Sequence, residues 1–222
     1  MENYNLTIED GMITYIEDLD KPGILYLPAD VVGFSADAWV SLGSNAEGIC
    51  VHPDNPVFFS VHNCLLSKDG ATLIKACKSS DISKLTGLEV IGSDAFQTPW
   101  TELEQFVFRI PDGVQVLDYR AFALSATKAE ITVPASVRFV DLMAFMIHSD
   151  HTHIIFEGDG DMELRPGVFG TEAEARDSDF EIYRTLPAVL YPRPEHITVS
   201  CRPGSSFFFS HSTYLRSARS ER

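Results

Sequence analysis

The sequence predicts a repeat solenoid, mainly β, with short irregular or 3-10 arcs and a short C-terminal helix. Three observations carry that expectation. First, one pattern is stated twice in succession: Ile110-Pro111, then Val114, Leu117 and Ala121-Phe122, followed by Val133-Pro134, then Val137, Val140 and Ala144-Phe145. The proline returns after 23 residues. Second, a copy with the same offsets runs from Leu27-Pro28 through Val31 and Phe34 to Ala38-Trp39, and a proline-free one runs from Leu85 through Leu88 and Ile91 to Ala95-Phe96. A degraded copy keeps Leu164 and Val168-Phe169. Third, the last three intervals between the closing aromatics Phe96, Phe122, Phe145 and Phe169 are nearly regular, at 26, 23 and 24 residues. A fixed period of this length marks stacked units that cannot bury their apolar faces alone.

Taken in order, residues 1–22 read as an N-terminal cap. Leu6 and Ile8 precede Asp10-Gly11, and Met12 and Ile13 follow it, the signature of a small hairpin able to cover the first open edge of the stack. The interval from Trp39 to Phe96 is 57 residues, and residues 49–78 account for the excess. Ile49 and Val51 form a strand closed by Pro53-Asp54-Asn55-Pro56. The apolar runs Val57 to Leu66 and Ala71 to Ala76 then form a hairpin through Ser67-Lys68-Asp69-Gly70, whose glycine adopts the positive φ of such a turn freely. This insertion is expected to sit on the stack without forming a second domain.

Within each unit the expected course is a strand ending before the proline, a turn, and an arc with aliphatics pointing inward. The alanine is small where the next coil passes, and the aromatic fills the interior. Inward strand positions are Leu25 and Leu27, Ile49 and Val51, Phe106, Phe108 and Ile110, Ile131 and Val133, and Ile197 and Val199; for His153 to Phe156 both registers remain open. Trp39, Phe96, Phe122 and Phe145 are expected to share one apolar column. Residues 171–196 form an acidic, proline-containing irregular insert, and 197–222 a C-terminal cap in which Ser205 or Ser206 starts a helix carrying Phe207, Phe208 and Phe209. The whole chain, 1–222, reads as a single solenoid.

Composition narrows the function classes. A net charge of -15 over 222 residues speaks against nucleic acid and anionic lipid, which are bound through basic patches. No apolar run in the first twenty residues is long enough for a signal-peptide core or membrane span, so the chain reads as cytoplasmic as written, without membrane insertion. Cys50, Cys64, Cys77 and Cys201 lack metal-type spacing and read as thiols, although the first three could pair in an exported protein.

The repeats resemble those of the BspA-type leucine-rich-repeat family, with its isoleucine-proline strand end, spaced valine and isoleucine, and Ala-Phe. The stretch from Val51 through Pro53-Asp54-Asn55-Pro56 to Cys64 to Ile74 is similar to that family's inserted hairpin, and Ile197 to Ser205 to its last strand and closing step. The resemblance covers most of Gly23 to Leu215; Thr171 to His196 has no counterpart. It implies a curved solenoid presenting surfaces to macromolecules, often at the cell surface or secreted, with no catalytic residues.

Candidate chemistry is sparse. His148, His151 and His153 with Asp150 are the densest set of metal-ligand side chains, but a surface turn needs no ligand, and no metal site is assigned. Glu157, Asp159, Asp161 and Glu163 alternate like the start of a calcium loop, yet Met162 stands at the position of its glycine and Val168 at that of its closing glutamate. No nucleophile elbow, phosphate loop, dinucleotide fingerprint or zinc-protease motif is present, so neither catalytic residues nor cofactors are assigned. Strand alternation places Tyr26, Arg109, Thr132 and Thr198 on an exposed face, the usual binding surface of a solenoid. The expected function is non-enzymatic protein interaction or adhesion with a protein partner. A carbohydrate or small-ligand surface is the alternative, and a hydrolase built on the insertions the third reading.

Overall fold

The computed structural model describes residues 2–17, 21–42, 46–97, 103–158, 162–165, 167–170, 197–201 and 208–209. The irregular insert 171–196 and most of the C-terminal cap lie outside them. Over the described residues the chain winds into a β-solenoid of about six turns with almost no helix. Each C-terminal winding contributes a long strand to one parallel sheet and a two-residue strand to a second.

The long-stranded sheet runs in the order Leu103–Arg109, Leu124–Val133, His151–Phe156 and Ile197–Cys201, all parallel. Its inward residues come from one side of the alternation: Ile131, Val133, Ile154 and Phe156 are buried, and Phe106, Phe108 and Val199 pack against them. This settles the register left open at His153 to Phe156, with Ile154 and Phe156 inward. The strand ends are made alike, for the amide of Val31, Val114 or Val137 donates to the carbonyl of Pro28, Pro111 or Pro134 three residues before it, at 3.2–3.4 Å. The proline ends the strand because it has no N–H to donate to a ladder. The aliphatic three residues later closes the turn and enters the core; Val31, Val114 and Val137 are all buried.

The second sheet stacks Val90–Ile91, Val116–Leu117, Phe139–Val140, Glu163–Leu164 and Phe208–Phe209 in parallel. Phe208 and Phe209 are therefore in a strand, not in the expected helix, since the open edge of Glu163–Leu164 offers backbone partners that a helix cannot use. After each two-residue strand the chain turns through Asp94, Arg120 or Met143, with φ of 55°, 53° and 57°, immediately before the alanine of the motif. These left-handed residues are held by the next winding: their amides donate to the carbonyls of Tyr119, Leu142 and Gly167 at 2.9–3.2 Å. Beyond the turn, Ala95, Ala121 and Ala144 are fully buried. Phe96, Phe122, Phe145 and Phe169 stack with successive centroids 4.7, 5.8 and 6.2 Å apart and interplanar angles of 14–24°.

Trp39 does not belong to this column, which corrects the expectation of one shared core. It lies on a short helix, Ala36–Ser41, whose first turn is capped by Ser35 Oγ accepting from the Ala38 amide at 3.2 Å. Its ring packs 5.3 Å from Phe34, within a separate N-terminal core that includes Ile13, Leu25, Leu27, Leu42 and Ile49. That core is covered by the parallel strands Glu2–Asn3, Gly23–Leu27 and Ala46–Val51 and by the expected N-terminal hairpin, Leu6–Glu9 and Met12–Ile16.

The physical reason for two cores is the insertion. Phe58–Val61, Cys64–Ser67 and Thr72–Ala76 form an antiparallel meander that joins the second sheet alongside Val90–Ile91. The run Val57 to Leu66 is thus two strands, reversed at His62 and Asn63 with φ of 51° and 62°. Its middle strand is buried on both faces: Leu65 belongs to the N-terminal core, Cys64 and Leu66 to the C-terminal one. The meander, expected to sit on the stack, forms a partition between the two cores. Asn55 anchors its start, fully buried, donating from Nδ2 to the carbonyls of Pro28 and Val31 and accepting at Oδ1 from the amides of Val57 and Phe58.

Candidate functional site

Strand alternation and parallel register together arrange the outward side chains of the long-stranded sheet in rows. Gln105, Lys128 and His151 form one row; Val107, Glu130, His153 and Thr198 a second; Arg109, Thr132 and Ile155 a third. Neighbouring members of a row belong to strands about 4.8 Å apart. Of the four residues predicted to line an exposed face, Arg109 and Thr132 are direct partners, and Thr198 lies in the adjacent row two strands away. Tyr26 is on the separate N-terminal sheet of Glu2–Asn3, Gly23–Leu27 and Ala46–Val51, beside Cys50, and does not join them. Arg109, Thr198 and Tyr26 are exposed and Thr132 half-buried.

The charges on this face are tied locally. Arg109 Nη2 donates to Asp112 Oδ1 at 3.0 Å and to Glu157 Oε2 at 2.8 Å, so the guanidinium fastens the strand end of one winding to that of a winding two further on. The bond from Asp112, with smaller help from Glu157, raises the Arg109 pKa above its ordinary value. His153 Nδ1 lies 3.7 Å from Glu130 Oε2 across the row. Val107 is the most exposed large apolar side chain of the sheet, at 59%.

The histidine set is divided by the fold. His151 and His153 share the outward face of their strand, whereas His148 sits on a separate two-residue strand beside Ser125 with a buried, unbonded Nε2. Among the described residues no three or more His, Cys, Asp or Glu side chains are grouped to hold a metal ion. Of the calcium-like stretch, Glu157 serves Arg109, Glu163 is exposed on a strand, and Asp159 and Asp161 lie outside the described residues. Cys50, Cys64 and Cys77 are free thiols. Burial pushes the Cys77 thiol up to about 12 and raises that of Cys64.

The reading of the strand face missed Val107, Lys128, Glu130, His153 and Ile155. Alternation from Ile131 and Val133 could have supplied Lys128 and Glu130; His153 and Ile155 required the register that only pairing with Glu130 and Thr132 fixes. The sequence reading also missed Lys75, a fully buried lysine on the partition.

No family model and no curated protein matches this chain. Among solved structures, the crystal structure of the pneumococcal vaccine antigen PcpA is similar over 90% of this chain and 60% of that one, at 12% identity and a TM-score of 0.45. The chain thus spans about three fifths of that structure's length.

Proposed function

We propose that this solenoid is a leucine-rich repeat of the BspA type, acting as a non-enzymatic protein-interaction or adhesion module that docks a macromolecular partner on the outward face of its long-stranded sheet. The observation that carries this reading is the three in-register rows just described. They present apolar, hydroxyl, imidazole and charged groups at fixed spacing on a rigid sheet, the kind of surface solenoids use for recognition. Val107 and Ile155 are apolar positions two strands apart on this face, with the polar Glu130 and Thr132 on the strand between them. Among the described residues the rows contain no Phe, Tyr or Trp ring on which a sugar could stack, so the carbohydrate reading has less support. By resemblance to the family, the module would work at a cell surface or outside the cell.

The test compares wild type with a Val107→Asp/Ile155→Asp double variant and with a control, Lys68→Glu, on the partition hairpin. Partner capture from a surface-protein extract, scored by mass spectrometry, should give proteins bound by wild type and control and lost by the double variant at unchanged melting temperature. Proteins retained by the double variant would contradict the assignment of the face.

A further inference from the structure

Lys75 stands where the stack changes from one core to the other. Its side chain is fully buried. The ammonium lies 5.1 Å from the centre of the Trp39 ring, in the N-terminal core, and Nζ donates to the carbonyls of Asp94 at 3.1 Å and Gln97 at 3.2 Å, in the first turn of the phenylalanine ladder. The same seam holds an ion pair, Arg120 Nε to Asp94 Oδ1 at 3.2 Å, in which neither atom makes a hydrogen bond, and Gln97 Oε1 is likewise buried and unbonded. The middle strand of the partition puts Leu65 on one side and Cys64 and Leu66 on the other. A charge confined here gains two carbonyls and a ring but loses its water, and unbonded polar atoms beside it leave the seam poorer in compensation than either core.

We propose that Lys75 makes this seam a proton-sensitive hinge, at which the N-terminal block parts from the phenylalanine ladder before either core unfolds. The direction follows from the burial. Desolvation, opposed by Asp94 and Cys77 and reinforced by Arg120, lowers the Lys75 pKa from 10.5 to about 8. In an opened seam the amine regains water and its ordinary affinity for the proton, so protonation favours opening. Closure gains as pH rises from about 8 towards 10.5, and that gain is lost as pH falls through 8. Between pH 7 and pH 9 the opening constant should fall about ten-fold on account of Lys75. The hinge separates the sheet bearing Tyr26 from the sheet bearing Arg109, Thr132 and Thr198, so protonation would loosen one exposed face from the other.

Cys64 and Cys77 flank the seam and report its opening by alkylation; exposed Cys50 serves as an internal control in the same molecule. Rates are measured by peptide mass spectrometry on the full chain at pH 7, 8 and 9, for wild type and Lys75→Met. Both proteins carry the same thiols, Asp94 and Arg120, and because Cys77 feels the Lys75 charge directly, the ratio at Cys64 is the one that isolates opening. The expected result is a wild-type to variant ratio at Cys64 that falls about ten-fold from pH 7 to pH 9, with Cys50 unchanged. If Lys75→Met does not fold, Lys75→Arg replaces it: its charge is constant over this range, and wild type should slow relative to it by the same factor. A ratio flat with pH overturns the proposal. So does labelling whose urea dependence equals that of global unfolding, since the thiols would then be exposed only when the whole chain melts.

Discussion

The N-terminal and C-terminal parts of this molecule are built from the same motif and hold together differently. In the ladder from Phe96 to Phe169, every winding places an alanine or valine and a phenylalanine in one position, and the rings stack. In the N-terminal block the same offsets lead to Trp39, yet the ring sits beside a capped helix and packs on Phe34. A repeat motif thus specifies a local arc, while continuity of the core requires that the next winding follow directly. Here the meander Phe58 to Ala76 intervenes, and Lys75 stands beyond Trp39 where a ring would continue the stack.

The largest expected effect breaks the ladder. Phe122 and Phe145 are 0% and 1% exposed, so Phe122→Ala or Phe145→Ala should cost about 3 to 5 kcal/mol in urea unfolding. A loss under about 1 kcal/mol would show that the rings are not core. The second effect belongs to the other block. Asn55→Ala removes an amide side chain making four bonds in a fully buried site, and should cost about 2 to 4 kcal/mol in urea unfolding. Trp39→Ala comes next, at about 1 to 3 kcal/mol, because its ring is half-buried. The smallest is Arg109→Ala. Its bonds to Asp112 and Glu157 are solvent-exposed, so the change should cost about 0.5 kcal/mol and vanish in high salt.

Much of the architecture was legible because proline, alanine and phenylalanine impose it locally. Pro111 and Pro134 stop strands, and Ala121 and Ala144 admit the next winding. Other features had no local signal. His62 and Asn63 make a tight reversal without glycine or proline, so the run Val57 to Leu66 read as one strand. Asp94, Arg120 and Met143 adopt the left-handed conformation, which side chains disfavour; amides bonded to the neighbouring winding hold them there. The C-terminal aromatics were read as helical because the sequence does not show that Glu163–Leu164 leaves an edge to be paired. The exposed face was half legible: alternation gave Arg109, Thr132 and Thr198, but placing Tyr26 with them assumed one uninterrupted sheet. That assumption fails because Ala46–Val51 and Leu103–Arg109 belong to separate sheets, and between them Ile82–Lys84 is a 3-10 turn.

The most direct test of two cores divided by a partition is a pair of double-mutant cycles read by urea unfolding. Phe122→Ala with Phe145→Ala should show a coupling of about 1 kcal/mol or more, since the rings share a stack, whereas Trp39→Ala with Phe122→Ala should be additive within about 0.5 kcal/mol. A coupling between Trp39 and Phe122 as large as that between Phe122 and Phe145 would contradict the account.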